Sequence, residues 1–181
     1  SSSLTSVFSD VVTNITVVKD EYGNFYWPQY NVNFIGNMIP GEAYMVNMIA
    51  SDQLIITGSQ IQPETVVVEC PVGWSFIGYI RNTPASVVQM MSPISSDIEL
   101  IKNSVGEIYW PQLSFDNIGN MNPDEGYQIK MIENVTGFVF CGTNWLEDGV
   151  SQEYLDVAVD AAVEQVEISY ADHTPPLDLQ I

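Results

Sequence analysis

The sequence predicts a mainly β protein: two tandem β-meander modules, each with one short helix, then a C-terminal helix and a tail strand. Two observations predict it. Tyr26-Trp27-Pro28-Gln29 and Ile35-Gly36-Asn37-Met38 return as Tyr109-Trp110-Pro111-Gln112 and Ile118-Gly119-Asn120-Met121, 83 positions later. With that shift, 16 of the 35 residues from Ile15 to Ile49 match their counterparts in Ile98 to Ile132. Ungapped identity of that density marks an internal repeat. Within each copy, short runs rich in β-branched and aromatic residues alternate with Gly, Asn, Asp and Pro, which is the pattern of strands and turns.

The elements follow in order. Leu4, Val7, Phe8 and Val11, and their counterparts Val87, Met90, Met91 and Ile94, recur at helical spacing. Short helices are expected over about 3–10 and 85–92, the second capped by Thr83-Pro84 and stopped by Pro93. Residues 15–19 and 98–102 read as strands. Asp20 and Asn103 open four-residue turns that end in Gly23 and Gly106. Residues 24–27 and 107–110 close each hairpin, and Pro28 and Pro111 end it. Strands over 43–49 and 126–132 follow, then 54–58 and its counterpart 138–142.

These spans set the domain boundaries: a first module at 1–58, a linker at 59–65, a second module at 66–142, and an acidic helix and tail strand at 143–181. Strands over 66–68 and 73–79 open the second module. The first module has no counterpart for its opening strand. In the tail, Leu155, Ala158, Val159, Ala162 and Val166 fall on one face of an acidic helix capped by Ser151. After it, Ile168, Tyr170, Thr174 and Pro175 match Ile77, Tyr79, Thr83 and Pro84. Residues 166–175 are therefore expected to supply the missing strand, from the same chain or from the next one. Head-to-tail repetition of the second arrangement builds an open filament.

Composition narrows the function. Four Lys+Arg against 23 Asp+Glu give a formal charge of −19. Phosphate contacts need cations, so this argues against nucleic-acid binding and against an anionic membrane surface. No apolar run of 18 residues exists, so no membrane insertion is expected. The chain starts at Ser1 without Met and has no signal-peptide pattern, so a processed form or a fragment is expected.

Candidate chemistry centres on the repeated strand. Adjacent aromatics on a strand face opposite ways, so one of Tyr26 and Trp27, and one of Tyr109 and Trp110, should be exposed. An exposed ring beside Gln29 or Gln112 would stack on a sugar while the amide binds hydroxyls. The same residues would serve equally to close the core and cap the loop. Asp20, Asn24, Glu42, Asn103, Glu107 and Glu125 carry oxygen ligands suited to calcium, although turn chemistry alone accounts for them and no cofactor is otherwise indicated. Cys70 and Cys141 would form a disulfide if their strands are neighbours; two buried free thiols are the alternative. His173 is the single histidine, and nothing orients it for catalysis. No phosphate loop or zinc motif is present, and no catalytic residue is assigned. Asn14-Ile15-Thr16 and Asn134-Val135-Thr136 fit the N-glycosylation pattern.

Residues 73–79 (Gly-Trp-Ser-Phe-Ile-Gly-Tyr), Tyr109-Trp110-Pro111 and Gly126-Tyr127-Gln128-Ile129-Lys130 together carry a resemblance. They are similar to the Gly-Trp-Asn-x-Ile-Ser/Gly…Gly-Glu-Gly-Tyr-x-Ile-Lys modules of secreted multidomain surface proteins from marine Bacteroidetes-like bacteria and of some marine phage virion proteins. Asp124-Glu125-Gly126 departs from Gly-Glu-Gly, and Ala43 stands at the second Gly in the first copy. The resemblance implies an extracellular or cell-surface location, with a virion surface as alternative, and a non-catalytic structural or adhesive role. It carries no established ligand. The expected function is a structural protein that self-associates through its tail. The alternatives are a carbohydrate-binding adhesion module and an accessory domain of a larger secreted enzyme.

Overall fold

A computed structural model of the chain describes residues 2–56, 58–59, 61–140 and 177–178. The fold is mainly β. Its first copy comprises β1 (Ser2–Ser3), α1 (Leu4–Val7), β2 (Ile15–Lys19), β3 (Phe25–Trp27), β4 (Val32–Asn33), β5 (Asn37–Met38), β6 (Met45–Met48) and β7 (Ile55–Ile56). The second comprises β8 (Val68–Cys70), β9 (Gly73–Gly78), β10 (Ala85–Ser86), α2 (Val87–Met91), β11 (Ile98–Lys102), β12 (Ile108–Trp110), β13 (Phe115–Asp116), β14 (Asn120–Met121), β15 (Gly126–Met131) and β16 (Val135–Phe138). A last strand, β17 (Leu177–Asp178), lies near the C-terminus.

The two main sheets share one topology. The second is ordered β13-β12-β11-β15-β9, the first β4-β3-β2-β6. Three strands run as a meander; the fourth then crosses back to the free side of the first. The registers repeat: Val18 faces Tyr26 as Ile101 faces Tyr109, and Ile15 faces Met48 as Ile98 faces Met131. A bulge interrupts β2 and β11 at the same place.

Local chemistry explains these elements. Asp20 Oδ1 accepts the N–H groups of Tyr22 and Asn24, and Asn103 Oδ1 accepts those of Val105 and Glu107. Gly23 and Gly106 close both turns at positive φ, +83° and +90°. Pro28 and Pro111 end their strands by opening 3-10 turns, Pro28–Tyr30 and Pro111–Leu113. Asn31 and Ser114 leave those turns in the left-handed region.

The helices are shorter than their spacing predicts. Each breaks after one turn and continues as a 3-10 turn, Val12–Asn14 or Ser92–Ile94. Ser86, not Thr83, stands at the N-cap of α2, and Pro93 sits inside the 3-10 turn rather than ending the helix. The reason is competition. The chain just ahead of each helix is drawn into a two-residue ladder, β1 with β5 and β10 with β14, which holds it extended.

Each copy has its own core. Leu4, Phe8, Val11, Ile15, Val18, Tyr26, Tyr44 and Leu54 form one cluster. Val87, Met90, Met91, Ile98, Ile101, Tyr109, Tyr127, Ile129 and their neighbours form the other. The apolar spacing that predicted the helices reappears as the buried side of both clusters.

The copies join along β9. Gly78 N–H donates to Gly41 O at 2.9 Å, Ala43 N–H donates to Phe76 O at 3.4 Å, and the Glu21 carboxylate accepts the Phe76 N–H at 2.9 Å. The close approach needs glycine. A Cβ on Gly78 would lie 2.8 Å from Glu42 O, and one on Gly126 would lie 2.7 Å from Ala43 Cβ. No helix among the described residues is long and apolar enough to cross a membrane.

Candidate functional site: the repeated aromatic strand and the open sheet edge

In both copies the tyrosine points in and the tryptophan points out. Tyr26 and Tyr109 are 6% and 5% exposed, Trp27 and Trp110 39% and 37%. Burial pushes both tyrosine hydroxyls above their ordinary pKa. The glutamines differ. Gln112 Nε2 donates to Ile98 O and so ties the 3-10 turn to β11. Gln29 is exposed and lines a shallow groove with Val12, Thr13, Ile15, Thr16, Pro28 and Ile49. An amide free to meet a ligand therefore exists in the first copy.

The first copy also carries an aromatic cluster that sequence reasoning missed. Trp27 meets Tyr30 edge-on at 4.6 Å between ring centroids, Phe25 meets Phe34 at 5.1 Å, and Phe25 reaches Trp27 at 6.4 Å. Tyr30 and Phe34 stay largely exposed. Their counterparts are Leu113 and Asn117, and Ile108 stands for Phe25. The signal lay in these differences between copies, whereas a search for identity passes over them.

The acidic and amide groups considered for calcium are engaged in the turns. Asn24 Nδ2 donates to Asp20 Oδ2, and Asn103 Nδ2 donates to Glu107 Oε2. Glu42 and Glu125 accept the hydroxyls of Tyr44 and Tyr127. Burial raises the Glu42 pKa, the nearby Glu21 and Asp20 add to the rise, and the Tyr44 hydroxyl opposes it. Among the described residues no group of three or more His, Cys, Asp or Glu is placed to hold a metal.

Cys70 is a free, buried thiol, and Cys141, its partner in the expected bridge, lies outside the described residues. Burial pushes the Cys70 thiol up to about 12, with Glu21 and Glu69 adding to the shift. β8 pairs with β16, so Cys70 faces Val135. The expected acidic helix, His173 and the tail residues Ile168, Tyr170, Thr174 and Pro175 also lie outside the described residues. The glycosylation-pattern side chains are both used: Asn14 Nδ2 donates to Asp52, and Asn134 Oδ1 accepts the Val72 N–H.

The second feature is an edge. In the second sheet β15 pairs with β9 along its whole length, from Gly126 opposite Gly78 to Met131 opposite Gly73. In the first sheet β6 ends the order, and no strand among the described residues covers its outer side. Burial registers the difference. Ile129 and Met131 are 0% and 2% exposed, whereas their counterparts Val46 and Met48 are only partly buried. The C-terminal end of the chain reaches this copy: β17 pairs antiparallel with β7, Leu177 opposite Ile56 and Asp178 opposite Ile55.

A scan against protein-family models finds no match, and searches of curated proteins and of solved structures find no similar chain. The fold and site define a class only: a two-copy β protein whose first sheet, among the described residues, is the second less one strand.

Proposed function

We propose that the protein is a non-catalytic structural component of an extracellular or surface assembly, whose copies join by adding a C-terminal strand to β6. One observation carries this reading: the first sheet repeats the order of the second but stops at β6, where the second continues to β9. A sheet edge with free backbone groups is a template for another strand. The resemblance of residues 73–130 to modules of secreted surface proteins supports the location. The acidic surface, at −19, suits a protein that must stay soluble in salt before it assembles.

Light scattering on the full chain and on a chain ending at Gln165 tests the reading. Concentration-dependent growth of the full chain alone is the expected result. Two monomers, with the truncated one less stable, would sink it.

The exposed ring cluster of the first copy favours a second reading, a saccharide-binding adhesion module. Trp27, Tyr30 and Phe34 offer apolar surface beside the free amide of Gln29. Aromatic rings and amides together match the apolar faces and hydroxyl edges of a neutral sugar. Titration with neutral oligosaccharides followed by tryptophan fluorescence, repeated on Trp27→Ala, separates it from the first.

A further inference from the structure

We infer that residues 166–170 add to the outer edge of β6, antiparallel, with Ile168 opposite Tyr44, and complete the first sheet as β9 completes the second. The inference rests on the assembly reading's choice of the tail as donor and names the residues and register of that contact.

Among the described residues no strand pairs with the outer side of β6. Backbone groups alternate sides along a strand. Those of Gly41 and Ala43 face β9 across the module junction. Within β6, the groups of Val46 and Met48 alternate to the side away from β2. In the second copy the groups on this side belong to β9: Tyr79 N–H donates to Glu125 O at 3.0 Å, and Tyr127 stands opposite Ile77. Glu42 and Tyr44 are the counterparts of Glu125 and Tyr127.

The tail carries the required pattern. On β9 and just beyond it, Ser75, Ile77 and Tyr79 point into the core, at 1%, 1% and 4% exposure. The matching tail positions are Val166, Ile168 and Tyr170, all apolar, and between them stand the polar Glu167 and Ser169. Strict alternation over five residues describes a strand with one wet face. It would complete the burial of Val46 and Met48, which are partly buried against the first core.

Position agrees with pattern. β7 corresponds to residues 139–140, next to the place where β16 meets β8. β17 therefore lies in the first copy next to the position that β8 takes in the second. From Tyr170 to Leu177 is seven residues (177 minus 170), a reach of about 25 Å when extended. A strand as long as β9 spans about 20 Å, so one tail can supply both strands.

The test is disulfide trapping in the full chain carrying Cys141→Ser. Cys70 is left in place because its buried, protonated thiol is a poor nucleophile. In this register Met45 faces Glu167 as a close pair without hydrogen bonds, with Cα atoms about 4.5 Å apart. That distance is within disulfide range. Met45→Cys with Glu167→Cys should then oxidise readily. Met45→Cys with Gln165→Cys, two residues out of register, should oxidise at least tenfold more slowly. A matched bridge inside one chain supports the register and sinks strand exchange between copies; a matched bridge between chains supports both. Faster trapping of the mismatched pair overturns the register while leaving the tail as donor. If neither pair traps, the inference is overturned.

Discussion

Tyr127 Oη donates to Glu125 Oε2 at 2.6 Å and accepts the Asn122 N–H at 3.0 Å; 83 residues earlier Tyr44 Oη donates to Glu42 Oε2 at 2.8 Å and accepts the Ile39 N–H at 3.0 Å. One hydroxyl thus ties each Pro-containing loop to the strand that follows it. Tyr127→Phe removes both bonds in a site 1% exposed and strands a backbone donor. We expect a loss of about 1–3 kcal/mol, read as a lower midpoint in urea with an unchanged slope. An unchanged midpoint would remove the clamp from the account.

These buried hydroxyls also set the alkaline limit. The pKa values of Tyr26, Tyr44, Tyr109 and Tyr127 are all raised, with burial the largest cause. The folded state therefore holds these protons more tightly than the unfolded chain. Their contribution is fully present below the ordinary tyrosine value near 10 and is lost as pH rises beyond it. Tyrosinate absorbance should rise together with the loss of circular dichroism above about pH 10. Complete ionisation while the fold persists would contradict it.

The module junction should respond to a swap. Gly126→Ala forces a Cβ into Ala43 and should cost about 1–3 kcal/mol. Adding Ala43→Gly opens the space again, so the double variant should be more stable than Gly126→Ala alone. A coupling energy of about 0.5–3 kcal/mol is expected. Strict additivity would mean that the two residues do not touch.

Ser75 Oγ is buried without a hydrogen-bond partner. Such a group costs free energy on folding. Ser75→Ala should raise stability by about 1 kcal/mol, measured as a shift in thermal midpoint. A lower midpoint would show that the hydroxyl is bonded after all.

The repeated aromatics should separate by face. Tyr109→Ala opens the second core and should cost about 3–5 kcal/mol. Trp110→Ala sits at the surface and should cost under about 1 kcal/mol. Equal losses in denaturant titrations would refute the inward and outward assignment.

Much of this was legible in the sequence because it is local. Strands and turns follow from alternation, from Asp20 and Asn103 opening turns, and from Gly23 and Gly106 closing them. The buried set followed from apolar spacing. The tryptophans could be named but not oriented, since alternation says that Tyr26 and Trp27 face opposite ways and not which one meets the core. Thr83-Pro84 misled because cap chemistry is a local preference, and the pairing of Ala85–Ser86 with Asn120–Met121 overrode it. The aromatic cluster was hidden because Phe25 meets Phe34 only when β3 and β4 pair, and Tyr30 meets Trp27 only when the 3-10 turn folds the chain back.

The sequence by itself determined that this protein is built twice and from which strands. These are properties of order and periodicity along a chain. Only the tertiary structure decided that β15 crosses back to β11, that β9 serves both copies at once, and that no described strand pairs with the outer side of β6. Those outcomes depend on which distant edges meet, and hydrogen bonds between strands carry no signature in either strand alone.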